Sequence, residues 1–439
     1  MTFINSKTSD IAADPNTNNI HIRPLRLLLL SSAGMFLDGY SLTIIAFAII
    51  LIDTYFHLSA SGSALVIGSV IIGSIIGTVF IGKLGDLFGR KSVYIANMAM
   101  FVVFGFLSAF SVNFLMLFLS RLVLGVAIGA DYPISNSYIA EMAPEKLRGR
   151  YLAFAGLSFS IGSVFSSLIA ASLFPLGINA WRFMLGIGVI PAVIVMILRV
   201  SMPESRRWLN IRDLKLKNKL NFKSKFNNSL TDKSENNITN LYYKGMFSKS
   251  HIKNTVLYSS IWFLYDTGAY GVGLLIPLIF KKSGLVSNVD NALITSVILL
   301  VGIISAVYAL YNIDGKIGRK GFQLIGFIGM GLSLSFLPFF YQSLTGLIVI
   351  ILITEIFNSF PGLTVGMFPA ELSHTTFRSS AYGFAAMMGK FGAVAGVLIV
   401  TYFVKKGENY GFYIIGILMF LAFFLSFLLP ETKKLKLDA

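Results

Sequence analysis

The chain has 439 residues, 55% of them hydrophobic and only 13% charged, with 36 Lys and Arg against 20 Asp and Glu for a net charge of +16. That balance excludes an ordinary soluble domain, and the absence of cysteine excludes disulfides and thiolate metal sites. Four scattered His form no metal cluster, and neither a cofactor loop nor a nucleophile-base pair is present, so no metal, no cofactor and no enzyme chemistry are expected.

Apolar runs of about 20 residues recur along the chain, each long enough to cross a hydrocarbon core of about 30 Å as a helix. They lack the polar-apolar alternation of a barrel strand. Residues 1–25, rich in Asn, Thr and Asp, read as a disordered cytoplasmic tail. Six spans are predicted near 26–52, 62–82, 93–112, 114–140, 151–175 and 181–202, forming a first helical bundle over 26–202. Residues 203–254, dense in Lys, Arg and Asn, read as a basic cytoplasmic linker. Six more spans near 255–280, 292–312, 321–340, 345–369, 380–404 and 411–429 form a second bundle over 255–430, and 431–439 is a cytoplasmic tail. The fold expected is an all-α membrane protein of twelve transmembrane helices in two six-helix halves.

The basic linker, with Lys83, Arg90 and Lys91, Lys146, Arg148 and Arg150, and Lys316, Arg319 and Lys320, marks one face as cytoplasmic by the positive-inside rule. A multi-pass protein of the cell membrane with both termini cytoplasmic follows. Lys281, Lys282, Lys405 and Lys406 fall on the other face, against the rule. Topology accounts for the net charge, and no nucleic-acid partner is required; the partners expected are the lipid bilayer, a small solute and protons.

The two halves repeat. "GKLGDLFGRK" (82–91) is echoed by "DGKIGRK" (314–320), "EMAPEKLR" (141–148) by "ELSHTTFR" (371–378), and "PES" at 203 by "PET" at 430. These pairs share an offset of about 230 residues, the signature of a duplicated bundle. Parallel halves of this kind are a transporter architecture, with the solute held at mid-membrane between them. The loops carrying Asp86, Gly89 and Arg90, then Asp314, Gly318 and Arg319, together with Glu141, Arg148, Glu371 and Arg378, read as gating latches or as plain charge anchors.

Ionisable groups at the bilayer centre cost about 2.5 to 3.5 kcal/mol each, so they rarely persist without a task. Six stand out: Asp38, Arg121, Asp131, Asp266, Glu355 and Lys390. Asp38 and Asp266 are related by the repeat, each in the first span of its half. A carboxyl that moves between wet and dry surroundings can take up and release a proton, which is what proton coupling needs. Trp262, Asp266 and Tyr270 are spaced by four, on one helical face, and read as a binding stripe or as packing aromatics. Tyr132, beside Asp131, admits the same two readings. Arg121 is expected to neutralise an acid such as Asp38. Glu355 and Lys390 are either functional or a structural ion pair across two spans. Gly125 and Gly129, one turn apart, are expected to let a neighbouring helix approach closely.

The motifs "GKLGDLFGRK", "RLVLGVAIG", "PESRRWL" and "PET" resemble the sugar-porter side of the major facilitator superfamily over nearly all of 26–432. "GADYPISNSYIAE", "WFLYDTGAYG" and the stretch from Pro361 to Ala393 resemble the phosphate:proton symporters. The resemblance implies solute binding by Tyr132, Trp262, Asp266 and Tyr270, with Lys390 at a matching position, and proton passage through Asp38 and Asp131. Gly362 stands where that family carries Asn, and Ser158, Phe159 and Ser160 stand where it carries Gln, while the paired glutamines of sugar porters are also missing from the seventh span. The reading is a proton-coupled symporter with phosphate as first substrate, and a sugar or small organic acid as the alternative. A non-transporting nutrient sensor is the remote alternative.

Overall fold

The computed structural model describes residues 24–88, 90–142, 148–202, 204, 246–249, 251–313, 315–373, 378–406 and 408–432. Among them every long element is a helix, and none is a strand. The first half contains α1 (Pro24–Phe56), α2 (Ala60–Phe88), α3 (Arg90–Ala109), α4 (Phe114–Met142), α5 (Arg148–Leu173), α6 (Ala180–Ile187) and α7 (Val189–Val200). The second contains α8 (Ile252–Gly268), α9 (Ile276–Ser283), α10 (Asn288–Asn312), α11 (Gly318–Phe336), α12 (Leu344–Thr364), α13 (Met367–Leu372), α14 (Arg378–Lys406) and α15 (Tyr410–Phe427). Eleven helical spans are long and apolar enough to cross a membrane, and a bent pair, Ile252–Gly273 with Ile276–Ser283, makes a twelfth.

Each span expected from hydropathy is present, but three are broken where the sequence supplies a cause. The sixth is interrupted between α6 and α7 at Gly188, where the Tyr40 ring crosses and its hydroxyl donates to the Met184 carbonyl at 2.7 Å. The seventh passes through a π-turn at Ala269–Gly273 and bends by 43° into α9, which starts with Pro277 in its first turn. A π-turn already displaces the backbone ladder, and a proline just beyond it removes a further donor, so the kink has two local causes. In the tenth span Pro361 lies inside α12, and the helix breaks at Val365 and Gly366 before α13.

The duplication is visible in the packing. In the first half α1 packs on α5, α2 on α4, and α3 on both α4 and α7; in the second α8 packs on α14, α10 on α12, and α11 on both α12 and α15. The halves meet along α2 with α14 and α5 with α10, and α1 also touches α9. These two seams exchange under the same repeat, so the halves are related by a two-fold. Gly125 and Gly129 face the backbone carbonyls of Val70 and Ser74, leaving no room for a Cβ, as the spacing predicts. The Thr78 hydroxyl uses that approach to donate to the Gly129 carbonyl at 3.0 Å. Close packing of this kind replaces the hydrophobic drive that lipid cannot supply between helices.

The third motif pair has a structural meaning. Both oxygens of Glu204, in "PES", lie 3.1 Å from the Lys91 backbone N–H and accept from it at the start of α3. Its counterpart Glu431, in "PET", accepts from the Arg319 and Lys320 N–H groups at 3.2 and 3.1 Å at the start of α11. A carboxylate at an exposed helix N-terminus satisfies orphan donors and opposes the helix dipole. The last helix of each half is thereby tied to its third.

Candidate functional site

Three acids and two cations, carried by five different spans, gather where the halves meet. Asp38 on α1 is fully buried, and neither carboxylate oxygen has a hydrogen-bond partner among the described residues. The charges that act on it are Asp131 on α4, Lys390 on α14 and Arg199 on α7. Asp266 on α8 is 6% exposed; it takes a side-chain hydrogen bond from Trp262, one turn back, and has Lys390 as its neighbouring cation. Lys390 thus couples electrostatically to the repeat-related pair, one acid from each half.

The stripe on the seventh span holds together despite the π-turn. Lys390 Nζ lies 3.4 Å from the Tyr270 hydroxyl and 5.3 Å from the ring centre, where the negative ring face attracts the ammonium. Tyr382, which the sequence reading passed over, stands edge-on to Trp262 at 5.4 Å between ring centres. It keeps 40% of its surface accessible although α14 is packed against both α8 and α2. An indole, two phenols, a carboxyl and an ammonium therefore border partly accessible space. Gly389 makes this arrangement fit: a Cβ there would lie 2.6 Å from an Asp266 carboxylate oxygen and 2.7 Å from the indole nitrogen.

Asp131 has a different environment. Its Oδ1 is 3.1 Å from Arg199 Nη1, with both side chains fully buried. Oδ2 accepts from the Ser135 hydroxyl at 2.9 Å, and Ser135 is bonded to the Tyr94 hydroxyl at 2.7 Å. Arg199 also donates to the Leu30 carbonyl at 3.3 Å, and its guanidinium carbon sits 3.4 Å from the Tyr94 ring centre. Arg199 lies inside the predicted sixth span, and counting every ionisable group within the spans would have found it.

Arg121 does not pair with Asp38. It donates to the Ser41 hydroxyl at 3.2 Å and to the Ser41 carbonyl at 2.8 Å, one turn further along α1, and it is not among the charges acting on Asp38. Glu355 and Lys390 do not form an ion pair either. Glu355 accepts from Asn358 at 3.2 Å and packs against Gly302 on α10, on the far side of the π-turn from α14. In the second half's latch, Gly318 has φ of 75°, a conformation that favours glycine, and Arg319 Nε lies 2.9 Å from Glu371 Oε1. The side chains of Asp86, Arg90, Tyr132, Glu141, Arg148 and Arg378, and residues Gly89 and Asp314 altogether, lie outside those described.

On the opposite membrane face from these latches, Lys405 at the end of α14 binds Asp53 on α1 and Ser63 on α2, and Ser63 also donates to Asp53. This three-residue clasp joins the two halves and gives Lys405, which breaks the positive-inside pattern, a structural task.

The chain matches the family model for sugar (and other) transporters over residues 27–439. Low affinity inorganic phosphate transporter 8 of Medicago truncatula is 28% identical, with 94% of this chain and 89% of that protein covered. The putative metabolite transport protein YaaU of Escherichia coli K12 is 26% identical over 88% of this chain and 86% of its own. Among solved structures, a D-xylose-proton symporter superposes with a TM-score of 0.78 at 22% identity, covering 94% of this chain and 99% of that one, a likeness of fold. With twelve spans in two repeated bundles, the chain belongs to the sugar (and other) transporter family of the major facilitator superfamily.

Proposed function

We propose that this transporter is a proton-driven symporter, working by alternating access, with inorganic phosphate as its first substrate. It resides in the cell membrane with both termini in the cytoplasm. Trp262, Asp266, Tyr270 and Lys390, with Tyr132, hold the solute, and Asp38 with Asp131 forms the proton-carrying side. The observation that carries this reading is the placement of Lys390, its Nζ 3.4 Å from the Tyr270 hydroxyl on the stripe that holds Trp262 and Asp266, with its charge acting on both Asp38 and Asp266. Neutralising Asp38 with a proton leaves more of the ammonium's field for an incoming anion, so proton and solute favour one another. Dihydrogen phosphate brings acceptor oxygens for Lys390 and Tyr270 and P–O–H donors for the Asp266 carboxylate.

The names of relatives support phosphate: relatives in Medicago truncatula, rice and Arabidopsis thaliana, at 26–28% identity, carry names of inorganic phosphate transporters, one of them prefixed "Putative" and one "Probable". A sugar or small organic acid is the second reading, kept open by Gly362, Ser158, Phe159 and Ser160, which supply none of the side-chain amides that the resemblance to phosphate symporters calls for at those positions. Uptake of labelled phosphate into proteoliposomes, with and without an imposed pH gradient and against competing sugars and carboxylates, tests both. Asp266→Asn is expected to abolish uptake; near-normal uptake places the solute elsewhere, and indifference to the gradient rejects the coupling.

A further inference from the structure

We infer that Arg199 is a positioning residue that holds Asp131 as its fixed counter-ion, so that Asp38 alone carries the coupling proton. The inference rests on the symport reading above and narrows the proton-carrying role from its two acids to one.

The two environments differ in kind. An ionised carboxylate only accepts hydrogen bonds, and Asp131 receives a donor on each oxygen, Arg199 on one and Ser135 on the other. Arg199 has no acceptor to offer a protonated acid. Its second terminal nitrogen donates to the Leu30 carbonyl, and the Tyr94 ring covers its face. The α1 backbone packs against the pair at Gly34, where a Cβ would stand 2.6 Å from both Arg199 Nη2 and the Asp131 carboxylate carbon, so any side chain there would collide with both partners. A cation and anion so enclosed stabilise one another, and removing either leaves an uncompensated buried charge.

Asp38 has none of this. It is fully buried, makes no ion pair, and neither oxygen has a hydrogen-bond partner among the described residues. The ionisable groups facing it are Asp131 from α4, Arg199 from α7, Lys390 from α14 and Tyr270 from the π-turn. With Arg199 committed to Asp131 and Lys390 shared with Asp266, these groups hold three acids against two cations. One proton restores neutrality, and Asp38 is the acid that can take it without breaking a contact. In a cycle the Asp38 carboxylate gains H⁺ from the water on one side and returns H⁺ to the water on the other, with no other bond changed.

The test uses the full-length protein in proteoliposomes. Arg199→Gln and Asp131→Asn are each expected to lower labelled-phosphate uptake more than tenfold. The double variant, which removes both charges, is expected to recover uptake at least fivefold over either single and to keep its stimulation by a pH gradient. Arg199→Lys, which preserves the charge, is expected to stay within threefold of the unaltered protein. Double-variant uptake indifferent to the gradient would assign the proton to Asp131 and overturn the inference, as would a folded double variant no better than the singles. Infrared difference spectroscopy on acidification gives a readout free of transport. One component of the protonated-carboxyl band is expected to be lost in Asp38→Asn and kept in Asp131→Asn, Asp266→Asn and Glu355→Gln, and a component lost in Asp131→Asn but kept in Asp38→Asn refutes the inference. If the unaltered protein shows that band but takes up no phosphate under any gradient, the symport reading fails on substrate while the division of roles stands.

Discussion

Cutting the clasp between Asp53 and Lys405 should release one face of the transporter. Asp53 sits near the end of α1 and Lys405 near the end of α14, on different halves, so the contact ties the halves together at this face. Their side chains are 18% and 17% exposed, respectively. A solvent-exposed pair is worth at most about 1 kcal/mol, and breaking a fully buried one costs about 3 to 5. Intermediate burial places this pair near 2 kcal/mol, and about 1.4 kcal/mol is a factor of ten in an equilibrium. Asp53→Asn is therefore expected to move the ratio of closed to open states at this face about 30-fold toward open. The chain has no cysteine, so Ser61→Cys and Asn409→Cys give two specific labelling sites at the rim of α2 and the start of α15. Distances between spin labels there, measured by pulsed electron resonance, report the two populations directly. The exchanged pair, Asp53→Lys with Lys405→Asp, should restore the original distribution. An unchanged distribution in Asp53→Asn would refute the assignment of a gating role, and so would an exchanged pair no closer to the original than the single variant.

Two further substitutions follow from contacts already described. Gly389→Ala places a methyl 2.6 Å from the Asp266 carboxylate and should raise the solute concentration for half-maximal uptake at least tenfold, while the thermal unfolding temperature changes little. Glu431→Gln leaves the Arg319 and Lys320 N–H groups with a neutral acceptor, and Glu204→Gln does the same for Lys91. A cap of this type is worth about 0.5 to 2 kcal/mol, so each should lower thermal stability modestly in differential scanning fluorimetry, and the double variant should show the sum. An effect of Glu431→Gln confined to transport, with stability unchanged, would make that carboxylate a gate rather than a cap.

The twelve spans, the repeat and the pairing of Asp38 with Asp266 could be read from the chain because hydropathy and offset are one-dimensional signals. Partner choice was not readable in the same way. Arg121 and Arg199 are both basic residues within apolar spans, and only the packing of α7 against α1 and α3 shows that Arg199 meets Asp131 while Arg121 stops at Ser41. Glu355 and Lys390 admitted an ion pair as one of two readings because each is isolated in its own span, yet Glu355 faces α10 and Lys390 faces α8. The clasp was invisible for a related reason: Asp53, Ser63 and Lys405 lie at helix ends, where charge is unremarkable until two remote ends coincide. Tyr382 carried no signal beyond its chemistry, since its position against Trp262 depends on how α14 lies on α8.

Duplication gave the two halves equivalent frames, and the charged residues then broke the symmetry. Asp38 and Asp266 occupy corresponding places, but their neighbours have diverged. Around Asp38 the first half supplies a second acid, paired with Arg199, and, among the described residues, no hydrogen-bond donor. Around Asp266 the second half supplies an indole, two phenols and an ammonium on partly accessible surfaces. An acid without donors gains most from a proton, and one lined by donors and aromatic faces is suited to hold a polar solute. Because Lys390 acts on both, neither can change its charge or its occupancy without altering the energy of the other. Linkage of the two events thus requires no long pathway between the halves, only one ammonium whose charge acts on both carboxyls.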